Sequence, residues 1–123
     1  MIQGIGVDIV EIDRLARLMN NSRFLARVFT PAERDYCTAG ANRAERFAGR
    51  FAAKEAVAKA LGLGLPWRDV EIRREDSGRP VVRLHGRAQA AAGGGTALVS
   101  ISHCREYAVA HAVVVAATDN GDG

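Results

Sequence analysis

At 123 residues and 48% hydrophobic, the chain is long enough for one domain with its own core and too short for two. A formal charge of +3 admits phosphorylated ligands or acidic partners but falls short of a nucleic-acid signature. Two cysteines, Cys37 and Cys104, lie far apart and outside any CxxC arrangement, which argues against a disulfide framework or zinc site and suits a reducing compartment.

The opening MIQGIGVDIVEIDR lacks a basic leader, and its apolar run is broken at Asp8 and Glu11, so it does not read as a signal peptide. Residues 2–12 are rich in β-branched side chains and predict a buried strand, with Ile5, Val7 and Ile9 on one face. Gly4, Gly6, Asp8 and Val10 take the other. Asp13 is the expected N-cap of a short helix, DRLARLMN. RFLARVF continues helically to TPAERDY, where Thr30 caps, Pro31 takes the first helical position and Glu33 completes a capping box.

TAGAN is a loop. Asn42 followed by Glu45 gives a cap signature for the main helix, which runs to about Leu61 and stops at Gly62. GLGLPW connects it to DVEIRRE and RPVVRLHG, which form a hairpin around DSG. RAQAAA is a short helix broken by GGG, and two strands follow, ALVSISH and YAVAHAVVVAA, joined by CRE. The last strand is apolar on both faces and needs cover on both sides, the second from another subunit. No apolar run reaches membrane-spanning length. The expected architecture is α+β: a single small domain, residues 1–117, with one long helix packed on a mainly antiparallel sheet, and a frayed tail at 118–123. A cytoplasmic protein without membrane contact is expected.

Within the main helix, GRFAAKEAVAKALG contains a conflict. On a wheel of about 100° per residue with Phe51 at zero, Glu55 falls near +40°, between Phe51 and Ala48 and inside the apolar arc. A surface pair with Lys59 at i, i+4 explains why the two coexist, but not that direction. A carboxylate on an apolar face is costly unless paired or bound to a cation. Asp8, in a strand where propensity disfavours it, supplies a second carboxylate beside side-chain-free Gly4 and Gly6. Two carboxylates describe a Mg²⁺ site that substrate phosphates complete.

Arg43, Arg46, Arg50 and Lys54 form a basic stripe beside the apolar arc, balanced only by Glu45. Such a stripe is either a solvated face or a phosphate contact. His103 ends SISH at a strand end, where packing and ligand roles are both open. Neither a P-loop nor a dinucleotide fingerprint occurs. With aromatics at 6% and the helix phenylalanines in the apolar arc, a nucleic-acid partner is not expected.

GIGVDIVEIDR, AGRFAAKEAVAKALG, DVEIRREDSGRP and VSISH, in that order, resemble the holo-acyl-carrier-protein synthase family, the small bacterial class of the 4′-phosphopantetheinyl transferases. The resemblance implies transfer of 4′-phosphopantetheine from coenzyme A to a serine of an apo acyl carrier protein, with release of adenosine 3′,5′-bisphosphate. It implies Mg²⁺ held by Asp8 and Glu55, with Lys59 near the reacting phosphate. Arg50, and Arg43 or Arg46, match contacts to coenzyme A phosphates, while Pro80 and His103 match positions lining the coenzyme site. A homotrimer with active sites between subunits follows from the same resemblance. Arg14, with Arg23 and Arg27, is then the expected docking surface for the acidic carrier protein, with Arg17 on the same face as Arg14.

Overall fold

The computed structural model describes residues 1–64 and 67–118. Leu65 and Pro66 of the expected connection, and 119–123 of the expected tail, lie outside the described residues. The chain opens with β1 (Ile2–Glu11), followed by three short helices, α1 (Ile12–Leu18), α2 (Ser22–Val28) and α3 (Pro31–Thr38). The long helix α4 (Arg43–Leu61) leads through a 3₁₀ turn at Trp67–Asp69 to the hairpin β2 (Val70–Arg74) and β3 (Pro80–Leu84). A short α5 (Gly86–Ala92) precedes β4 (Thr96–His103) and β5 (Tyr107–Val115). The larger sheet is antiparallel in the order β1-β5-β4, with β2-β3 as a separate antiparallel pair. This is the expected α+β architecture.

The approach of α4 to the sheet depends on two glycines. A Cβ at Gly4 would lie 2.0 Å from the Ala60 carbonyl oxygen, and one at Gly6 2.0 Å from that of Ala56. Only a side-chain-free strand face admits the helix backbone so closely. Phe47, Ala52, Ala53 and Ala56 of α4 then pack with Ala108, Ala110, Ala112 and Val114 of β5 in the core.

The opposite sheet face is open in this chain. Ile5, Val7 and Ile9 are 65%, 56% and 63% exposed, and Leu98 joins them from β4. Among the described residues β1 is therefore covered on one face only, which corrects the expectation of a strand buried outright: the glycine-bearing face meets α4 and the branched face of Ile5, Val7 and Ile9 stays exposed.

Local signals fix most element ends. Thr30 accepts from the Glu33 backbone N–H, and the Thr30 backbone N–H donates to Glu33 Oε1, closing the expected capping box with Pro31 behind it. Gly62, at φ 72°, ends α4. Two expected caps differ. The cap position of α1 is Glu11, so Asp13 sits inside the first turn, where its charge still suits the helix N-terminus. Asn42 occupies the cap position of α4 with φ 63° and makes no side-chain cap bond, because a left-handed residue aims its side chain away from the helix N–H groups.

Lys54 is not part of an exposed basic stripe. It is 1% exposed, its Nζ lies 2.7 Å from Glu33 Oε1, and it donates to the carbonyls of Trp67 and Val70. Glu33 Oε2 in turn accepts from the Ile72 backbone N–H. Burial presses the Lys54 ammonium below its usual range, and the Glu33 charge opposes that. The pair ties α3, α4 and β2 together, and losing one partner of such a buried pair costs about 3–5 kcal/mol.

Candidate active site

Asp8 and Glu55 are brought face to face by the glycine-mediated packing of β1 on α4. Both are only partly accessible, and Asp8 Oδ2 is buried with no hydrogen-bond partner among the described residues. Two ionised carboxylates offer each other only acceptors, so one satisfies the other only by taking up a proton. Burial first, then the closeness and charge of the Asp8 carboxyl, push the Glu55 carboxyl up to about 7; Lys59 and Arg14 oppose the rise. An inward carboxylate pair with an orphaned oxygen suits a divalent cation with hard oxygen ligands. Among the described residues no third Asp, Glu, His or Cys joins them, so further ligands would come from water or a bound phosphate.

Lys59 stands at the mouth of this pair. Its Nζ donates to Asp8 Oδ1 at 3.3 Å and to the Val7 carbonyl at 3.1 Å, and its side chain stays largely exposed. The expected surface pair along the helix with Glu55 gives way to a link from helix to strand. Arg14 on α1 is exposed, and its charge reaches Glu55, so α1 borders the carboxylate pair. Arg17, Arg23 and Arg27 are also exposed, spread over α1 and α2.

A second group of expected residues gathers farther up α4. Arg46, Arg50 and His103 line a cavity of about 230 Å³ together with Tyr36 and Glu45. His103 Nε2 lies 3.3 Å from Glu45 Oε2, which gives the histidine a carboxylate partner at the cavity wall. Arg46 Nη1 donates to the carbonyls of Tyr36 and Ala39 at the end of α3, so part of its guanidinium is committed to the fold. Arg43 is exposed and lines neither this cavity nor the carboxylate pair.

Pro80 is elsewhere. It borders a separate cavity of about 190 Å³ with Glu75, Arg79 and residues of β4. Pro80 thus lines a different cavity from Arg50 and His103, while its strand position pairs with Arg74 of β2. Sequence reasoning missed Tyr36 and Glu45 in the upper cavity. Glu45 carried a signal, as the lone acid among the arginines; Tyr36 carried none, since its contacts cross from α3 to α4.

A sequence profile described as the 4′-phosphopantetheinyl transferase superfamily matches residues 4–112. The chain belongs to this superfamily. Its relatives include a holo-[acyl-carrier-protein] synthase of Moorella thermoacetica, 54% identical over 89% of this chain and 91% of that one. Among solved transferase structures, a holo-(acyl-carrier-protein) synthase of Bacillus anthracis in complex with CoA (3′,5′-ADP) is 36% identical, with a TM-score of 0.81, covering 95% of this chain and 99% of that one. The Helicobacter pylori synthase in complex with coenzyme A is 32% identical, also with a TM-score of 0.81, covering 90% of this chain and 99% of the other. No helix among the described residues is long and apolar enough to cross a membrane.

Proposed function

We infer that the chain is a holo-[acyl-carrier-protein] synthase, transferring 4′-phosphopantetheine from coenzyme A to a serine of an apo acyl carrier protein and releasing adenosine 3′,5′-bisphosphate. The observation that carries the reading is the inward pair Asp8 and Glu55 under Lys59, in a chain that shares its fold and most of its length with synthases of that name. In the reaction the serine oxygen bonds to phosphorus, the bond to the bisphosphate leaving group breaks, and the serine proton is lost. Lys59 contributes positive charge where negative charge grows in the transition state. Arg50, with Arg46 and His103, lines the cavity proposed to take phosphate groups of coenzyme A.

Asp8 and Glu55 are proposed to hold Mg²⁺, and the orphaned Asp8 oxygen and the raised Glu55 carboxyl fit that role. When bound, the ion supplies neutralisation of charge on the transferred phosphoryl group. Asp8, Glu55 and water all remain available to accept the serine proton.

A homotrimer with shared active sites is part of the same reading. The open face of Ile5, Val7, Ile9 and Leu98 supports association, because burying apolar surface gains about 25 cal/mol per Å². Sharing would also let Pro80 of one subunit approach the Arg50 and His103 cavity of another. Light scattering at working concentration tests the trimer; a monomer that retains full transfer activity refutes it. Both cysteines are free, as a reducing, cytoplasmic setting would keep them.

The activity is tested by incubating the protein with coenzyme A, Mg²⁺ and apo carrier protein and following release of adenosine 3′,5′-bisphosphate. Release that requires both Mg²⁺ and carrier supports the reading. Coenzyme binding without release would make the chain a binding module.

A further inference from the structure

Tyr36 on α3 is the meeting point of three guanidinium groups from two other elements. The guanidinium carbon of Arg50 lies 4.1 Å from its ring centroid, that of Arg46 4.8 Å and that of Arg74 5.5 Å. Each cation gains from the negative face of the ring, while the three repel one another. Arg46 and Arg74 are also held by hydrogen bonds. Arg46 is tied to the end of α3 through Nη1. Arg74 of β2 donates through Nη1 to the Tyr36 hydroxyl at 3.0 Å, and its Nη2 lies 3.0 Å from where a Gly78 Cβ would sit. Arg50 is 8% exposed, and its buried Nε has no hydrogen-bond partner among the described residues.

Cavities of about 230 and 210 Å³ both have Tyr36 and Arg50 in their walls. The second is lined by Ala32, Ile72, Arg73 and Arg74 besides that pair, and no acid lines it. Concentrated positive charge, an unsatisfied buried donor and open space beside both call for an anion with several oxygens.

We propose that Tyr36 is a positioning residue whose ring and hydroxyl hold Arg46, Arg50 and Arg74 as a prearranged grip for phosphate, and that Arg74 is one of the phosphate contacts. The proposal rests on the synthase reading and names residues to which that reading gave no role. The ring removes the freedom that long arginine side chains would otherwise lose on binding, so its contribution falls on affinity for the phosphorylated substrate.

The test is steady-state kinetics of Tyr36→Leu, Tyr36→Gln, Tyr36→Phe and Arg74→Gln, varying coenzyme A and carrier protein separately. Tyr36→Leu should raise KM for coenzyme A about tenfold, with kcat and KM for carrier within about twofold. Tyr36→Phe, which keeps the ring, should restore KM to within about threefold, while Arg74→Gln, which loses the phosphate contact as well as the hydroxyl link, should raise KM for coenzyme A more than Tyr36→Phe does. An unchanged KM for coenzyme A in Tyr36→Leu overturns the proposal. So does an equal loss in kcat and both KM values, or melting of both Tyr36→Leu and Tyr36→Gln below assay temperature, because the ring is then structural. If the wild type shows no transfer at all, the synthase reading fails first. Calorimetric titration with inorganic pyrophosphate then decides on the grip alone: about tenfold weaker binding by Tyr36→Leu supports it, and equal binding refutes it.

Discussion

Lys59 reaches across from α4 to Asp8 of β1, with its Nζ 3.3 Å from Oδ1, and does not fold back along its own helix to Glu55. The cation thus neutralises one member of the carboxylate pair from the solvent side and leaves Glu55 facing Asp8 from within. It also ties the strand to the helix at the point where the two acids meet.

Lys59→Ala should lower kcat more than it weakens coenzyme A binding, because a charge aimed at the reacting phosphate acts mainly in the transition state. A loss on the order of 10–100-fold in kcat, with the coenzyme dissociation constant within about threefold, is the expected result. Calorimetry and steady-state rates check the two halves. If neither quantity moves, the lysine only holds the strand to the helix.

Mg²⁺ binding should depend on pH around neutrality. Glu55 is held at about 7, above its ordinary value of 4.5, so in the metal-free protein it keeps a proton below that pH and loses it above. The proton favours the folded state, so this contribution is fully present below the ordinary value and fades as pH rises through about 7. Mg²⁺ needs the ionised pair, and protons compete with it. The rise in Tm on adding Mg²⁺ should therefore be larger at pH 8 than at pH 6. An equal rise at both would separate the ion from Glu55.

Gly6→Ala should damage the site without touching any of its charges. The new Cβ would meet the Ala56 carbonyl oxygen at 2.0 Å, so β1 must move off α4 and carry Asp8 away from Glu55. Overpacking of this kind costs about 1–3 kcal/mol, and a lowered Tm with severe loss of activity is expected. Denaturant melts and transfer assays check both. Unchanged activity would mean that the close approach does not set the carboxylate geometry.

Much of this was legible in the sequence because it is local. The Thr30–Glu33 capping box, the Gly62 stop and the hairpin around DSG each depend on residues a few positions apart. The carboxylate pair was legible for another reason: Asp8 and Glu55 each contradict their surroundings, one in a strand, one on an apolar helix face. The rest depended on contacts distant in the chain. Glu33 completes a cap that local pattern announces, and nothing nearby announces that it also takes Lys54 out of the basic stripe. Arg46 ends up serving α3 as well as the cavity, and Pro80 lines a different cavity from the residues with which it was grouped. Such pairings follow from the packing of α3, α4 and the hairpin, which no single segment encodes.

Arg14→Glu should raise KM for carrier protein about tenfold and leave that for coenzyme A nearly unchanged, since Arg14 is exposed beside the carboxylate pair where an acidic carrier helix would dock. The wild-type carrier KM should also rise with salt, because exposed charges are screened over about 10 Å at 0.1 M ionic strength. Equal losses for both substrates would place Arg14 in the coenzyme site or the fold.

The most direct test of the central claim is intact-mass spectrometry of apo carrier protein incubated with coenzyme A over a range of Mg²⁺ concentrations, comparing the wild type with Asp8→Asn and Glu55→Gln. The account predicts that the wild type adds phosphopantetheine to the carrier in a Mg²⁺-dependent manner. Both variants should remain folded by circular dichroism and leave most of the carrier unmodified. Wild-type rates from both variants at low Mg²⁺ would contradict it.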